Sequence, residues 1–71
     1  MTDIEKKMLI EKIAMIEAIG NMRDNIDGMK LSRLCHIDWH KCSAYLDHLC
    51  SQGFVVRTGI DNSGMTQYKL D

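Results

Sequence analysis

The chain predicts a mainly α fold with a small β-hairpin: three helices followed by two antiparallel strands. Three observations carry this reading. Residues 38–53 read as one capped amphipathic helix with a glycine stop. Residues 54–70 hold two strand-like runs separated by turn formers. Residues 2–20 hold a proline-free apolar run behind a capping motif.

The first helix is expected from about Asp3 to Ile19. Thr2-x-x-Glu5 has the form of a capping box, and Gly20-Asn21 reads as the stop. Between Met8 and Ile19, nine of twelve residues are apolar. At 100° per residue they cover nearly the whole circumference, and a helix apolar all round must be buried on more than one face. A chain of 71 residues hides only about 60% of the surface its unfolded form exposes, so one thin core cannot cover all of it. Residues 1–20 are therefore expected to supply a homodimer seam through Ile4, Met8, Leu9, Ile13, Met15, Ile16 and Ile19.

Residues 21–28 are polar and end in glycine, which reads as a loop. Met29–Cys35 is long enough for a short second helix with Leu31, Leu34 and Cys35 facing inward. His36-Ile37 makes the turn, and Asp38 is a good N-cap for the third helix. That helix runs to about Gln52, with Gly53 in the left-handed position just after it. Trp39, Cys42, Tyr45, Leu46, Leu49 and Cys50 form its inward arc, with Trp39 and Leu46 anchoring it from behind. His40, Lys41, Ala44, Asp47, His48 and Ser51 form the opposite arc. Residues 29–52 thus read as helix, tight turn, helix.

Phe54–Thr58 has β-branched and aromatic composition, and Met65–Leu70 alternates. Gly59–Gly64 between them is rich in turn formers. Residues 54–70 are therefore expected to form a hairpin with a six-residue tip. The whole of 1–71 reads as one domain.

The formal charge is −1, and it is unevenly spread. Residues 1–27 carry four bases and six acids, whereas residues 28–71 carry five bases and four acids. No apolar run approaches the roughly 20 residues that span a bilayer. Asp3 and Glu5 stand where a secretory leader would be basic and apolar. With three cysteines in no repeated spacing, the expectation is a cytoplasmic protein with reduced thiols.

The order Leu34-x-x-Ile37, Asp38-Trp39, Tyr45-Leu46-x-x-Leu49, Gly53-Phe54-Val55 and Tyr68-Lys69-Leu70 resembles the winged-helix family of transcription regulators. Within that family the chain is similar to small archaeal members. The resemblance covers about residues 9–70. It consists of core spacing rather than chemistry. It implies a winged helix-turn-helix, with the third helix in the major groove of double-stranded DNA and the hairpin as a wing on the backbone or minor groove. Relatives often continue into a C-terminal dimerisation helix. The chain stops at Asp71, so the first helix is expected to take that role.

By position, the resemblance implies that His40, Lys41, Ser43, Ala44 and His48 face the major groove. Lys41 is the best of these for phosphate or guanine, because an ammonium donates to O6 and N7. Arg57, Asn62, Ser63 and Gln67 would lie along the wing, and Lys30 and Arg33 would touch phosphates and set register. Asp47 would repel phosphate and is expected away from DNA. Protonation of His40 and His48 is expected to tighten binding below about pH 6.5. The dimer would address a palindromic site, and the protein is expected to be cytoplasmic and nucleoid-associated.

Cys35, His36, His40, Cys42, His48 and Cys50 crowd into sixteen residues. A zinc site needs three or four of them converging tetrahedrally. Cys42 and Cys50 point inward while His40 and His48 point outward, so no metal and no cofactor is expected. No nucleophile–base pair, phosphate cradle or carboxylate pair appears, and the chain reads as a non-enzyme without a small-molecule substrate. The alternative to DNA binding is a winged-helix module that binds protein, which the near-neutral charge and the apolar first helix favour.

Overall fold

Thr2 and Glu5 cap one another in the computed structural model, which describes Met1–Asp71. The Glu5 amide donates to Thr2 Oγ1 at 3.1 Å, and the Thr2 amide donates to Glu5 Oε1 at 3.4 Å. The helix they start, α1, spans Asp3–Met22. It does not stop at Gly20. The backbone ladder continues for two more residues, because Met22 packs against the core and favours another half-turn. Arg23 ends the helix at φ 65°, and its amide donates to Ile19 O at 2.9 Å.

Asp27 caps the second helix, α2 (Gly28–Cys35), by accepting from the Lys30 amide at 2.7 Å. His36 leaves α2 in the left-handed region at φ 56°. Ser32 Oγ donates across the turn to Ile37 O at 2.5 Å. Asp38 then caps α3 (Trp39–Ser51) by accepting from the His40 amide at 3.0 Å. Gly53, at φ 84°, makes the left-handed exit that a Cβ would strain. α3 thus uses the start and stop expected of Asp38 and Gly53, and α2 has a cap of its own in Asp27.

The hairpin pairs β1 (Val55–Ile60) with β2 (Thr66–Leu70) in antiparallel register, Val55 opposite Leu70 and Arg57 opposite Tyr68. A bulge lies between Arg57 and Gly59. Residues 21–28 are not simply a loop. Ile26 forms an antiparallel bridge to Tyr68, so the segment between α1 and α2 adds a third, one-residue rung to the sheet. A single rung carries no alternating pattern, which is why composition read it as loop.

Ten residues form the core: Met15 and Ile19 from α1, Ile26, Leu31, Ile37, then Cys42, Leu46 and Leu49 from α3, with Val55 and Tyr68 from the hairpin. Met15 and Ile19 are only 4% and 3% exposed, so they belong to this subunit's own core and leave the expected dimer seam. The other five seam residues, Ile4, Met8, Leu9, Ile13 and Ile16, are exposed. Two further inward assignments are corrected. Trp39 is 41% exposed, because the first residue of α3 overhangs the end of the core. Leu34 is exposed because Leu31 and the half-buried Cys35 fill the inner side of the short α2. No helix is long and apolar enough to cross a membrane.

Candidate nucleic-acid interface

α3 is flanked on one side by α1 and on the other by the hairpin. A groove of about 640 Å³ separates it from α1 and is lined by Met8, Glu11 and Met15 opposite Lys41, Ala44 and His48. A second groove of about 460 Å³ separates it from the hairpin and is lined by Ser43, Ala44 and Asp47 opposite Arg57 and Met65. Ala44 lines both, so it marks the crest of α3. His40, one turn earlier, stands on the same exposed crest.

The sequence-expected residues divide by what their side chains already do. Lys41 Nζ lies 3.6 Å from Glu11 Oε1 on α1. Arg57 Nη2 donates to Asp47 Oδ1 at 2.5 Å. Lys30 Nζ donates to Asn25 O at 2.9 Å. Arg33 and Asn62 are exposed, and no hydrogen bond or ion pair holds either side chain. His48 is exposed with its ring 6.3 Å from that of Tyr45.

Three more of the expected contacts are engaged within the subunit. Ser43 is half-buried against the start of α2, where a Cβ on Gly28 would collide with its Oγ. Ser63 Oγ donates to Asp61 Oδ1 at 2.6 Å and helps shape the hairpin tip. Gln67 Nε2 donates to Asp27 Oδ2 and to Asp61 Oδ2, each at 3.1 Å. That amide ties the cap of α2 to the hairpin tip, so both its N–H groups are committed before any partner arrives. Gln67 thus acts as a clamp between α2 and the hairpin in the free subunit.

The electrostatics follow from these pairings. The Arg57 hydrogen bond, with the guanidinium's charge, holds the Asp47 carboxyl below its ordinary pKa, and the Tyr68 hydroxyl adds a contact at 3.3 Å. The same hydrogen bond, donated by Arg57 to Asp47, raises the Arg57 pKa. Donors from Ser63 and Met65 lower the pKa of Asp61. Burial raises the Tyr68 pKa. The face is thus a set of matched charges rather than a basic patch.

Two participants were missed from the sequence. Asp47 does not stand apart from this face but helps form it, because β1 brings Arg57 alongside α3. No helix wheel contains that contact. Trp39 lies beside His40, ring centroids 4.0 Å apart, and adds an exposed aromatic surface at the leading end of α3.

The cysteines and histidines do not converge. No group of three or more His, Cys, Asp or Glu side chains is arranged to hold a metal ion. Burial, with lesser contributions from Cys35, Asp38 and Glu11, pushes the Cys42 thiol up to about 11. Burial, followed by the charge of Glu17, also raises the Cys35 thiol.

No protein-family model, curated protein or solved structure matches the chain.

Proposed function

We propose that the chain is a winged helix-turn-helix protein that binds double-stranded DNA as a homodimer and regulates transcription. The observation that carries the proposal is the exposed crest of α3, through His40 and Ala44, between α1 and a hairpin pinned alongside by the Ile26–Tyr68 bridge. A major groove about 12 Å wide admits one α-helix, and a crest bearing Trp39, His40 and Lys41 at its leading end offers donors and an aromatic surface to base edges. Arg57 and Asn62 on the hairpin, with Lys30 and Arg33 on α2, would meet phosphate and fix the register.

The pairings shape the expected behaviour. Lys41 and Arg57 each have an acid at hand, so releasing them to phosphate costs part of the gain. Affinity is therefore expected to be modest and to fall as salt rises.

The test is a binding titration of duplex DNA at low and moderate salt, comparing wild type with Lys41→Gln/Arg57→Gln. The proposal expects weaker binding and a shallower salt slope with an unchanged circular dichroism spectrum. Absence of binding by wild type at both salts would refute it.

One observation favours a second reading, a module that binds protein through this face. Lys41–Glu11 and Arg57–Asp47 leave a balanced surface, which suits a protein partner better than a polyanion. Saturable binding to another protein, lost on changing Ala44 to Arg, would support it.

A further inference from the structure

Residues 1–10 are exposed without exception, although Asp3–Ile10 are helical. The first eight helical residues therefore place no buried side chain in the core. They propagate from the half of α1 that Met15 and Ile19 anchor, so their outer surface is left open to a partner.

The outer side of α1 has a definite pattern. Leu9, Ile13, Ile16 and Gly20 recur at intervals of four, three and four. They are turned roughly a third of a circle from Met15 and Ile19, which face the core. Leu9, Ile13 and Ile16 are 47%, 56% and 53% exposed. This is the spacing of a two-helix seam, with Ile13 and Gly20 in the first apolar position of the heptad and Leu9 and Ile16 in the second. Near its C-terminal end the stripe opens onto an apolar cavity of about 420 Å³ lined by Ile16, Gly20, Phe54 and Leu70, which extends the apolar patch.

We infer that this stripe is covered by the same stripe of a second copy, with the two α1 helices parallel. The charges on its flanks select both the occupant and the direction. Lys12 and Glu17 border the seam on opposite sides, five residues apart. In a parallel pair each Lys12 meets the partner's Glu17, twice by symmetry. In an antiparallel pair with Leu9 facing Ile16, the two Lys12 side chains meet near the axis and repel. Ile13 with Leu9 suits two parallel strands, whereas Ile16 in the second position suits more, so the flanking charges and Lys6 decide the number. Lys6, one heptad before Ile13, occupies the seam as a charged residue. That position sets register and chain number at a cost in stability, so a reversible dimer is expected.

This inference deepens the homodimer part of the proposed function and does not depend on the DNA part. The experiment is sedimentation of the full chain at tens of micromolar. Wild type is expected to be a dimer, and Ile13→Glu a monomer with an unchanged circular dichroism spectrum. Lys12→Glu and Glu17→Lys are each expected to raise the concentration for half-association about tenfold or more. Mixed one to one, these two variants should form a heterodimer tighter than either homodimer. Gly20→Cys tests direction, because an added Cβ there has no heavy atom within 4 Å to disturb. A disulfide joining the two introduced cysteines, identified by peptide mass, is expected from parallel helices.

A monomeric wild type, or a dimer that survives Ile13→Glu, overturns the inference. So does a charge-swapped mixture that fails to pair. A dimer that never crosslinks through Gly20→Cys overturns the parallel arrangement. DNA binding by a monomeric wild type would leave the DNA reading standing while the seam fails. A dimer that binds no DNA would do the reverse.

Discussion

Arg57 on β1 and Asp47 on α3 form an ion pair, Nη2 to Oδ1 at 2.5 Å, that ties the hairpin to the helix beside it. Both side chains are 60% exposed, so the pair adds little to stability. Its consequence is electrostatic. The cation best placed on the hairpin to meet a phosphate is already neutralised by a carboxylate on the same face.

Asp47→Asn should therefore strengthen DNA binding, not weaken it. The amide removes one negative charge and frees Arg57. Affinity at moderate salt is expected to rise about threefold to tenfold, and the salt slope to steepen by about one phosphate contact. A fluorescence-anisotropy titration at several salt concentrations measures both. Unchanged affinity and slope would mean that Arg57 does not meet phosphate.

Gly28 and Ser43 predict a coupled pair. Gly28→Ala drives a methyl group into Ser43 Oγ where α2 crosses α3. A cost of about 1–3 kcal/mol is expected for this overpacking. Removing the obstructing atom with Ser43→Ala should recover more than half of that cost. Urea denaturation of the two single variants and the double variant measures the coupling. Strict additivity would mean that the helices shift apart instead.

The core offers a sharper stability test. Leu31 and Leu46 are fully buried, from α2 and α3 respectively. Truncating either to alanine is expected to cost about 2–5 kcal/mol. In a domain with ten core residues that is a large share of the total, so thermal unfolding should move close to ambient temperature. Ile10→Ala, at an exposed position, should leave the transition of the isolated subunit nearly unmoved.

Acid should loosen the hairpin tip first. Asp61 Oδ1 accepts from the Ser63 amide at 2.9 Å and the Met65 amide at 3.0 Å. The Ser63 and Met65 hydrogen bonds place the folded pKa of Asp61 below its ordinary value. A lowered folded pKa means that this stabilisation is fully present above the ordinary aspartate range. It is lost as pH falls through the folded value. The amide shifts of Ser63 and Met65 should therefore titrate together at acid pH. Asp61→Asn should abolish that shared titration.

Thiol reactivity should follow burial. Cys42 is buried, and its pKa of about 11 leaves little thiolate near neutral pH. Cys35 is half-buried, and its Sγ donates to Ala14 O at 3.5 Å. Under native conditions a thiol reagent is expected to reach Cys50 first and Cys42 only on unfolding. Mass spectrometry of timed labelling gives the order. Early labelling of Cys42 would mean that α3 opens locally.

Much of the local structure was legible because it depends on neighbours in the chain. The Thr2–Glu5 box, the Asp38 cap and the Gly53 exit each lie within a few residues of what they bond, and the apolar periods of α3 and β2 are properties of consecutive residues. The amino-acid sequence by itself determined three helices and a hairpin, their order and most of their limits. Tertiary structure decided the rest. It extended α1 through Gly20, assigned Met15 and Ile19 to the core, and exposed Trp39 at the end of α3. It also joined Ile26 to Tyr68, Asp27 to Gln67 and Asp47 to Arg57. The physical reason is separation along the chain. Hydrogen bonds and ion pairs between residues ten to more than forty positions apart form only once the core has brought their elements side by side, so no local pattern records them.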